Sequence, residues 1–307
     1  MIRFIERDYP SANGVLLTGP RPVLVDTGFG SDADLLLKLL AATPPALIVN
    51  THFHSDHVGG NRAVQDRFGA PIAASGIEAG LVNRGDPAAC EAAWLRQPIE
   101  RYRVDRSLDD GDVVETGAGD WQVIATPGHT EGHLSLFCAE AGIVVLGDAL
   151  HHADVGWLSP LRPAALDQSA ATLERIAGLG AVVGYSGHGP AVTDMAGALG
   201  RARRRVEGWR RDPEAIGWHA CKRIFAHALM LEDGLAEDRV ADALLGWPWF
   251  RDHARIVFGV APANFVQPLL REMVRADAAY WQGGVLRARA GYRVAPPGWS
   301  VRTPLPA

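Results

Sequence analysis

Three histidines and an aspartate fall within six positions at His52-Phe53-His54-Ser55-Asp56-His57, directly after the apolar run at residues 46–50. Imidazoles and a carboxylate crowded at the end of a strand make the donor set of a transition-metal site. In a loop running into a helix, His52 and His54 turn one way while Asp56 and His57 face the other, which suits two adjacent metals better than one. Single donors stand at other strand ends: Thr126-Pro127-Gly128-His129, Gly147-Asp148 and Ser186-Gly187-His188-Gly189-Pro190, each with glycine or proline beside it to set the turn. Neutral imidazoles with few carboxylates favour zinc, so two Zn2+ ions are the expected cofactors; manganese, iron or cobalt fit the same shell. A water held between two divalent ions loses a proton near neutral pH and attacks an ester, thioester, lactone or amide carbonyl, with no serine or cysteine nucleophile required.

These residues, together with Val25-Asp26-Thr27-Gly28 and Thr126-Pro127-Gly128-His129-Thr130-x-Gly132-His133, resemble the metallo-β-lactamase superfamily of hydrolases across roughly residues 10–195. The resemblance implies an α/β fold, an αββα sandwich with the metal site at one edge of its sheets. It also implies that His52, His54 and His129 bind one metal, that Asp56, His57 and His188 bind the other, and that Asp148 bridges them. Asp56 and Asp148 are then the carboxylates closest to the chemistry, Asp56 also orienting the hydroxide. Having both is similar to the glyoxalase II-like, lactonase-like branch and departs from the true zinc β-lactamases, where a cysteine commonly serves the second metal. Cys90, Cys138 and Cys221 stand at no ligand position. The substrate expected is a small acyl compound. The same ligand set also serves ribonucleases, phosphotriesterases and diiron redox proteins, so a phosphodiester or phosphotriester substrate is the alternative.

Other side chains read more plainly. Asp26 holds a ligand histidine by hydrogen bond or serves as a strand-end turn aspartate. His151 and His152 read first as surface or supporting residues, with donation to an oxyanion or leaving group as their second reading. His133 belongs to the entry of a strand; His219, His227 and His253 are structural.

The elements that must position these groups follow from periodicity. Strands are expected at residues 14–18, 22–26, 46–50, 71–75, 113–116, 121–126, 134–138, 143–146 and 181–186. Helices are expected at 32–40, capped by Ser31, and at 168–178, capped by Asp167. Beyond Pro190 the pattern turns helical, at 195–211, 216–231, 236–245 and 264–279, and closes with a hairpin over 283–294 and an irregular tail from Pro296. The chain thus reads as a metal hydrolase domain, residues 1–198, and a mainly α-helical C-terminal domain, residues 199–307, of a winged-helix-like pattern that plain helical caps share.

Charge supports the division. Residues 199–307 hold 17 basic against 11 acidic residues, whereas residues 1–198 hold 13 against 24. Six arginines between Arg201 and Arg211 read as a solvated helix face, or as a patch for nucleic acid. Only 68 residues separate Gly60 from His129 and 39 separate Asp148 from His188, leaving no room for a large clamping insertion, so nucleic acid is the less favoured partner. The C-terminal part caps the cleft or builds a homodimer interface. A charged N-terminus, three scattered cysteines and the lack of an apolar run near the roughly 20 residues of a membrane span point to a cytoplasmic chain with no membrane partner.

Overall fold

The computed structural model describes residues 2–97 and 99–289. Alternation along the strands sets the layers. In β2 (Gly14–Leu17), Val15 and Leu17 enter one core while Leu16 enters another, because successive side chains of a strand leave on opposite faces. The strand is therefore covered on both sides. The first sheet runs β1 (Ile2–Ile5), β2, β3 (Val23–Val25), β4 (Leu47–Val49), β5 (Ile72–Ser75) and β6 (Arg106–Leu108) in spatial order. The second runs from β7 (Val113–Glu115) through β8 (Asp120–Ala125), β9 (Leu134–Cys138) and β10 (Ile143–Gly147) to β11 (Val183–Ser186).

Val15, Val25 and Val49 of the first sheet meet Trp121, Val123 and Leu136 of the second in a shared core. On the outer face of the first sheet, Leu24, Ile48 and Ile72 pack on α1 (Ala33–Leu40), α3 (Asn61–Phe68) and α4 (Gly76–Arg84); a single turn, α2 (Ser55–Val58), precedes α3. After the short α5 (Ala92–Leu95), α6 (Ala165–Gly178) and α7 (Met195–Arg211) cover Ile124, Val144 and Leu146 of the second sheet. The result is the expected αββα sandwich.

The helical region follows with α8 (Pro213–Leu231), the two-residue strand β12 (Leu235–Ala236), α9 (Glu237–Gly246), α10 (Pro248–Asp252), a π turn at His253–Val257 and α11 (Pro262–Arg275). It closes with β13 (Ala279–Gln282) and β14 (Val285–Ala288), which form a small sheet in the order β12-β14-β13. Phe225, Trp249, Phe250 and Phe265 build its own core. The region thus runs helix, strand, three helices and a hairpin.

Several boundaries differ from expectation for identifiable reasons. The hairpin turns on Gly283 and Gly284, whose φ of +57° and +74° suit a two-residue turn. That choice places its first strand at Ala279–Gln282, partly inside the span expected to be helical. The rest of the expected hairpin, residues 290–294, and the tail from Pro296 lie outside the described residues. Ser31 does not cap α1, because residues 30–32 form a 3-10 turn that delays the helix to Ala33. Asp167 lies inside the first turn of α6, which starts at Ala165, and pairs with Arg210 at 2.7 Å. Strands β1 and β6 carry no expectation; both are sheet edges, where one arginine in each, Arg3 and Arg106, blurs the apolar pattern of a short strand and discourages further pairing.

The arginines of α7 are largely engaged at home. Arg203 pairs with Glu174, Arg205 with Asp154, Arg210 with Asp167 and Arg211 with Glu207, at 2.7–3.1 Å. Exposed pairs of this kind contribute at most about 1 kcal/mol each, so they balance charge more than they stabilise.

Candidate metal centre

Every expected donor sits where a strand ends at the same edge of the sandwich. His52, His54, Asp56 and His57 follow β4, His129 follows β8, Asp148 follows β10 and His188 follows β11. Close approach explains the glycines. A Cβ on Gly187 would collide with Asp148 Oδ1 and lie 2.6 Å from His57 Cε1, so only glycine lets β11 deliver His188 beside Asp148.

The structure brings all seven residues together. His54 Nδ1 lies 2.8 Å from His129 Nε2, which lies 3.2 Å from His52 Nε2. Donors on one tetrahedral zinc stand about 3.3 Å apart, given bonds of about 2.0–2.1 Å. His188 Nε2 lies 3.1 Å from Asp56 Oδ2, and His57 Nε2 lies 3.9 Å from the same oxygen. Between the two triplets stands Asp148, with Oδ1 3.3 Å from His57 Nε2 and Oδ2 3.6 Å from His129 Nε2 and 3.7 Å from His188 Nε2.

Hydrogen bonds at the rear of the rings decide which nitrogen faces inward. Asp26 Oδ2 accepts from His57 Nδ1 at 2.8 Å and from the Thr51 hydroxyl at 2.7 Å. That hydroxyl accepts in turn from His52 Nδ1 at 3.1 Å. The Trp157 carbonyl accepts from His129 Nδ1 at 2.7 Å, and Glu91 accepts from His54 Nε2 at 3.3 Å. Each of these four rings thereby turns a lone pair toward the cluster, the usual support for metal-bound histidine.

Electrostatics agree with a cation there. Burial, reinforced by neighbouring imidazoles, holds His52 and His129 well below the ordinary histidine range, which keeps them neutral ligands. Burial also opposes charge on His57, yet Asp148, Asp26 and Asp56 together raise it well above that range. Burial would lift Asp56 and Asp148 as well, but the surrounding histidines hold both below the carboxylate range. Buried carboxylates around imidazoles call for positive charge, and His57 Nε2 is fully buried without a hydrogen-bond partner. A divalent cation answers both demands.

The remaining histidines divide. His133 bonds Thr126 Oγ1 through Nδ1 at 2.8 Å and accepts the Asp148 backbone N–H on Nε2 at 3.0 Å, so it fixes the turn and spends both nitrogens there. His151 reaches Asp148 Oδ1 at 3.2 Å, whereas His152 is exposed. His219 packs on Trp209 and His253 on Trp94 and Trp249. His227, expected to be structural, comes to the edge of the site instead: Tyr9 contacts both its ring and that of His188, and its Nδ1 lies 3.1 Å from Gln97 Nε2. Glu91, Trp157 and His227 carry no motif, and their distance along the chain from the ligands hides them from sequence reasoning.

One buried carboxyl near the site titrates unusually. Burial pushes Glu78 up to about 8, despite a hydrogen bond from the Thr130 hydroxyl at 2.6 Å. The folded chain therefore keeps a proton that the unfolded chain releases near 4.5, and stability falls as pH rises from about 4.5 to 8. Glu78→Gln is expected to remove that slope, melting about 5–10 °C above the parent chain at pH 9 and level with it at pH 5. Melting curves across that range check it; a gap independent of pH would refute it.

A family model described as the metallo-beta-lactamase superfamily matches residues 10–188. The hydroxyacylglutathione hydrolase of Chelativorans sp. (strain BNC1) is 29% identical over 214 residues, covering 64% of this chain and 76% of that relative. The hydroxyacylglutathione hydrolase of Brucella anthropi is 32% identical over 177 residues, 57% of this chain and 60% of its own length. A metallo-beta-lactamase family protein from Thermus thermophilus superposes with a TM-score of 0.54 at 25% identity, covering 94% of this chain and 98% of that one.

Proposed function

The chain belongs to the metallo-beta-lactamase superfamily and is a metal-dependent hydrolase of it, and from that premise we propose that it cleaves a small acyl substrate, a thioester, lactone or other ester, at a binuclear centre. The observation that carries this reading is Asp148, whose two oxygens face both imidazole groups. His52, His54 and His129 would hold one ion, Asp56, His57 and His188 the other, with Asp148 shared; zinc suits these donors, and manganese, iron or cobalt fit them too. When bound, the two ions supply an acidified water and polarise the carbonyl.

The chain's own groups do the rest. Asp26 and Thr51 hold His57 and His52 in the tautomers that keep their lone pairs inward. Asp56, 8% exposed, is placed to orient an attacking water by accepting a hydrogen bond from it. His151, 3.2 Å from Asp148, stands where it can donate to a developing oxyanion. The hydroxyacylglutathione hydrolases among the relatives support a thioester ahead of a phosphodiester, and the home ion pairs of α7 leave fewer arginines for a phosphate backbone.

We assign residues 1–198 to the metal domain and 199–307 to the C-terminal domain. His227 at the site favours a capping role for the latter over a purely dimeric one. Among the described residues no helix is long and apolar enough to cross a membrane, and three free buried cysteines suit a reducing compartment, so we place the chain in the cytoplasm.

Elemental analysis, paired with a panel of a glutathione thioester, an aliphatic lactone, a chromogenic β-lactam, a phosphotriester and bis-nitrophenyl phosphate, tests the assignment. Near two metals per chain with a carbonyl substrate preferred is the expected result. Metal content below one per chain after reconstitution, or preference for the phosphodiester, overturns it.

A further inference from the structure

A cavity of about 380 Å³ lies between α4, the segment leading into α5 and the loop carrying Ser159, Leu161 and Arg162. Its apolar wall is Phe53, Ile77, Leu81, Trp94 and Leu161. The cavity adjoins the first imidazole triplet on several sides. Phe53 is the residue between His52 and His54, and Thr130 follows His129. Glu91 lines it while bonding His54, and Arg162 lines it while donating to the carbonyls of Gly128 and His129, at 2.5 and 2.7 Å.

Most of the polar groups that could recognise a charged or strongly hydrogen-bonding occupant are already engaged, while Glu78 Oε2 is buried without a hydrogen-bond partner. Glu78 takes the Thr130 hydroxyl, Glu91 takes His54, Arg162 is held by two carbonyls, and Trp94 Nε1 donates to Asp252 at 2.8 Å. Glu131 is exposed at the rim and repels anions. Such a space favours hydrocarbon, and its size is that of a small-molecule pocket. A larger cavity of about 600 Å³ shares Ser159 and Arg162 with it and opens toward Trp209 and Phe258; none of the seven donors lines either cavity, but only the smaller one takes in Phe53 and Thr130, the chain neighbours of His52, His54 and His129.

We propose that the smaller cavity is an acyl-chain pocket, which makes the substrate an ester or thioester of an uncharged, apolar acyl group of medium length. This inference rests on the acyl-hydrolase reading and deepens it. The chain would lie along Phe53 and Leu81 toward Trp94, with the carbonyl left at the metal cluster, and the leaving group would point away from the cavity. Ile77, 51% exposed on α4, sits at the mouth, where a bulky replacement closes the pocket without disturbing the buried core.

Two measurements on the full-length, metal-loaded protein test the pocket. In the first, N-acetylcysteamine thioesters with acyl chains of two to ten carbons are compared, so that only the acyl group varies. The expected kcat/KM rises about fourfold per methylene until the cavity is full, equivalent to about 0.8 kcal/mol each. In Ile77→Trp, and separately in Ala88→Phe, the octanoyl-to-acetyl ratio falls at least tenfold. In the second, calorimetric titration with octanamide, which is not readily hydrolysed, shows saturable binding that Ile77→Trp weakens. Turnover with a flat chain-length profile and no octanamide binding overturns the pocket and leaves the hydrolase reading standing. Octanamide binding without cleavage of any acyl compound supports the pocket and sinks the hydrolase reading. A profile that both variants lower in parallel at every length overturns the pocket as the source of selectivity.

Discussion

Asp148→Asn is expected to lower kcat/KM about 1,000-fold, the equivalent of roughly 4 kcal/mol, and to reduce metal content from about two per chain toward one. The side chain keeps its volume, so the effect isolates charge. Oδ1 and Oδ2 of Asp148 approach His57, His129 and His188 at 3.3–3.7 Å, a set that draws on both triplets. An amide presents one acceptor oxygen and one donor nitrogen, so it can face only one triplet with a lone pair, and it removes a negative charge from the pocket proposed to gather two cations. The turn should survive, because the contact that fixes it runs from the Asp148 backbone N–H to His133. His151→Phe is the matched control: it also loses a 3.2 Å contact to Asp148 but takes no donor from either triplet, so metal content should stay near two. Stepwise metal titration with activity assays reads both variants. An Asp148→Asn protein that keeps two ions and more than a tenth of its activity would remove Asp148 from its bridging position.

The sandwich and the metal cluster were legible because both rest on short-range chemistry. An apolar strand followed by histidine or aspartate at the turn is visible wherever it occurs, and four such strand ends supply all seven expected donors. Strands covered on both faces, such as β2, read clearly as short continuous apolar runs bounded by turn residues. What the chain order conceals is anything decided by tertiary approach. Glu91 lies 37 residues from His54 and Trp157 lies 28 from His129, with no spacing rule linking either pair. Glu91 reaches its position through a backbone with φ of +59° at Cys90 and +49° at Glu91 itself, a conformation few L-residues adopt without cost. His227 read as structural because it stands in the helical part with no other metal-binding group clustered near it in sequence; only the packing of α8 on Tyr9 and Phe29 brings that turn to the site. The edge strands β1 and β6 were hidden by the charges that keep edges from pairing further. Family membership narrows the chemistry to metal-dependent hydrolysis; in the proposed pocket the acyl group would be chosen by residues outside the motifs, beside Phe53, and not by the seven donors.

Asp26→Asn should separate the two ions. Asp26 is 2% exposed with φ of +59°, a conformation asparagine tolerates better than other residues, so the backbone is preserved. Its carboxylate accepts three hydrogen bonds, from the Thr51 backbone N–H at 2.8 Å, the Thr51 hydroxyl at 2.7 Å and His57 Nδ1 at 2.8 Å. An amide cannot accept on both sides. With its oxygen kept on the Thr51 backbone N–H, its NH2 meets His57 Nδ1 and favours the other tautomer, which turns Nε2–H toward the cluster in place of a lone pair. The second ion, which Asp56, His57 and His188 would hold in the proposed assignment, should then weaken about 10–100-fold. The first ion should hold better, because His54 and His129 draw their orientation from Glu91 and Trp157 and only His52 depends on Asp26, through Thr51. Activity should fall at limiting metal and return in part with excess metal, which distinguishes a weakened site from a damaged fold. Asp26→Ala is the harsher case: it leaves the Thr51 N–H and His57 Nδ1 buried without their acceptor, at a cost of about 1–3 kcal/mol in stability for each. Stepwise metal affinities in Asp26→Asn equal to those of the parent chain would mean that Asp26 serves only the turn.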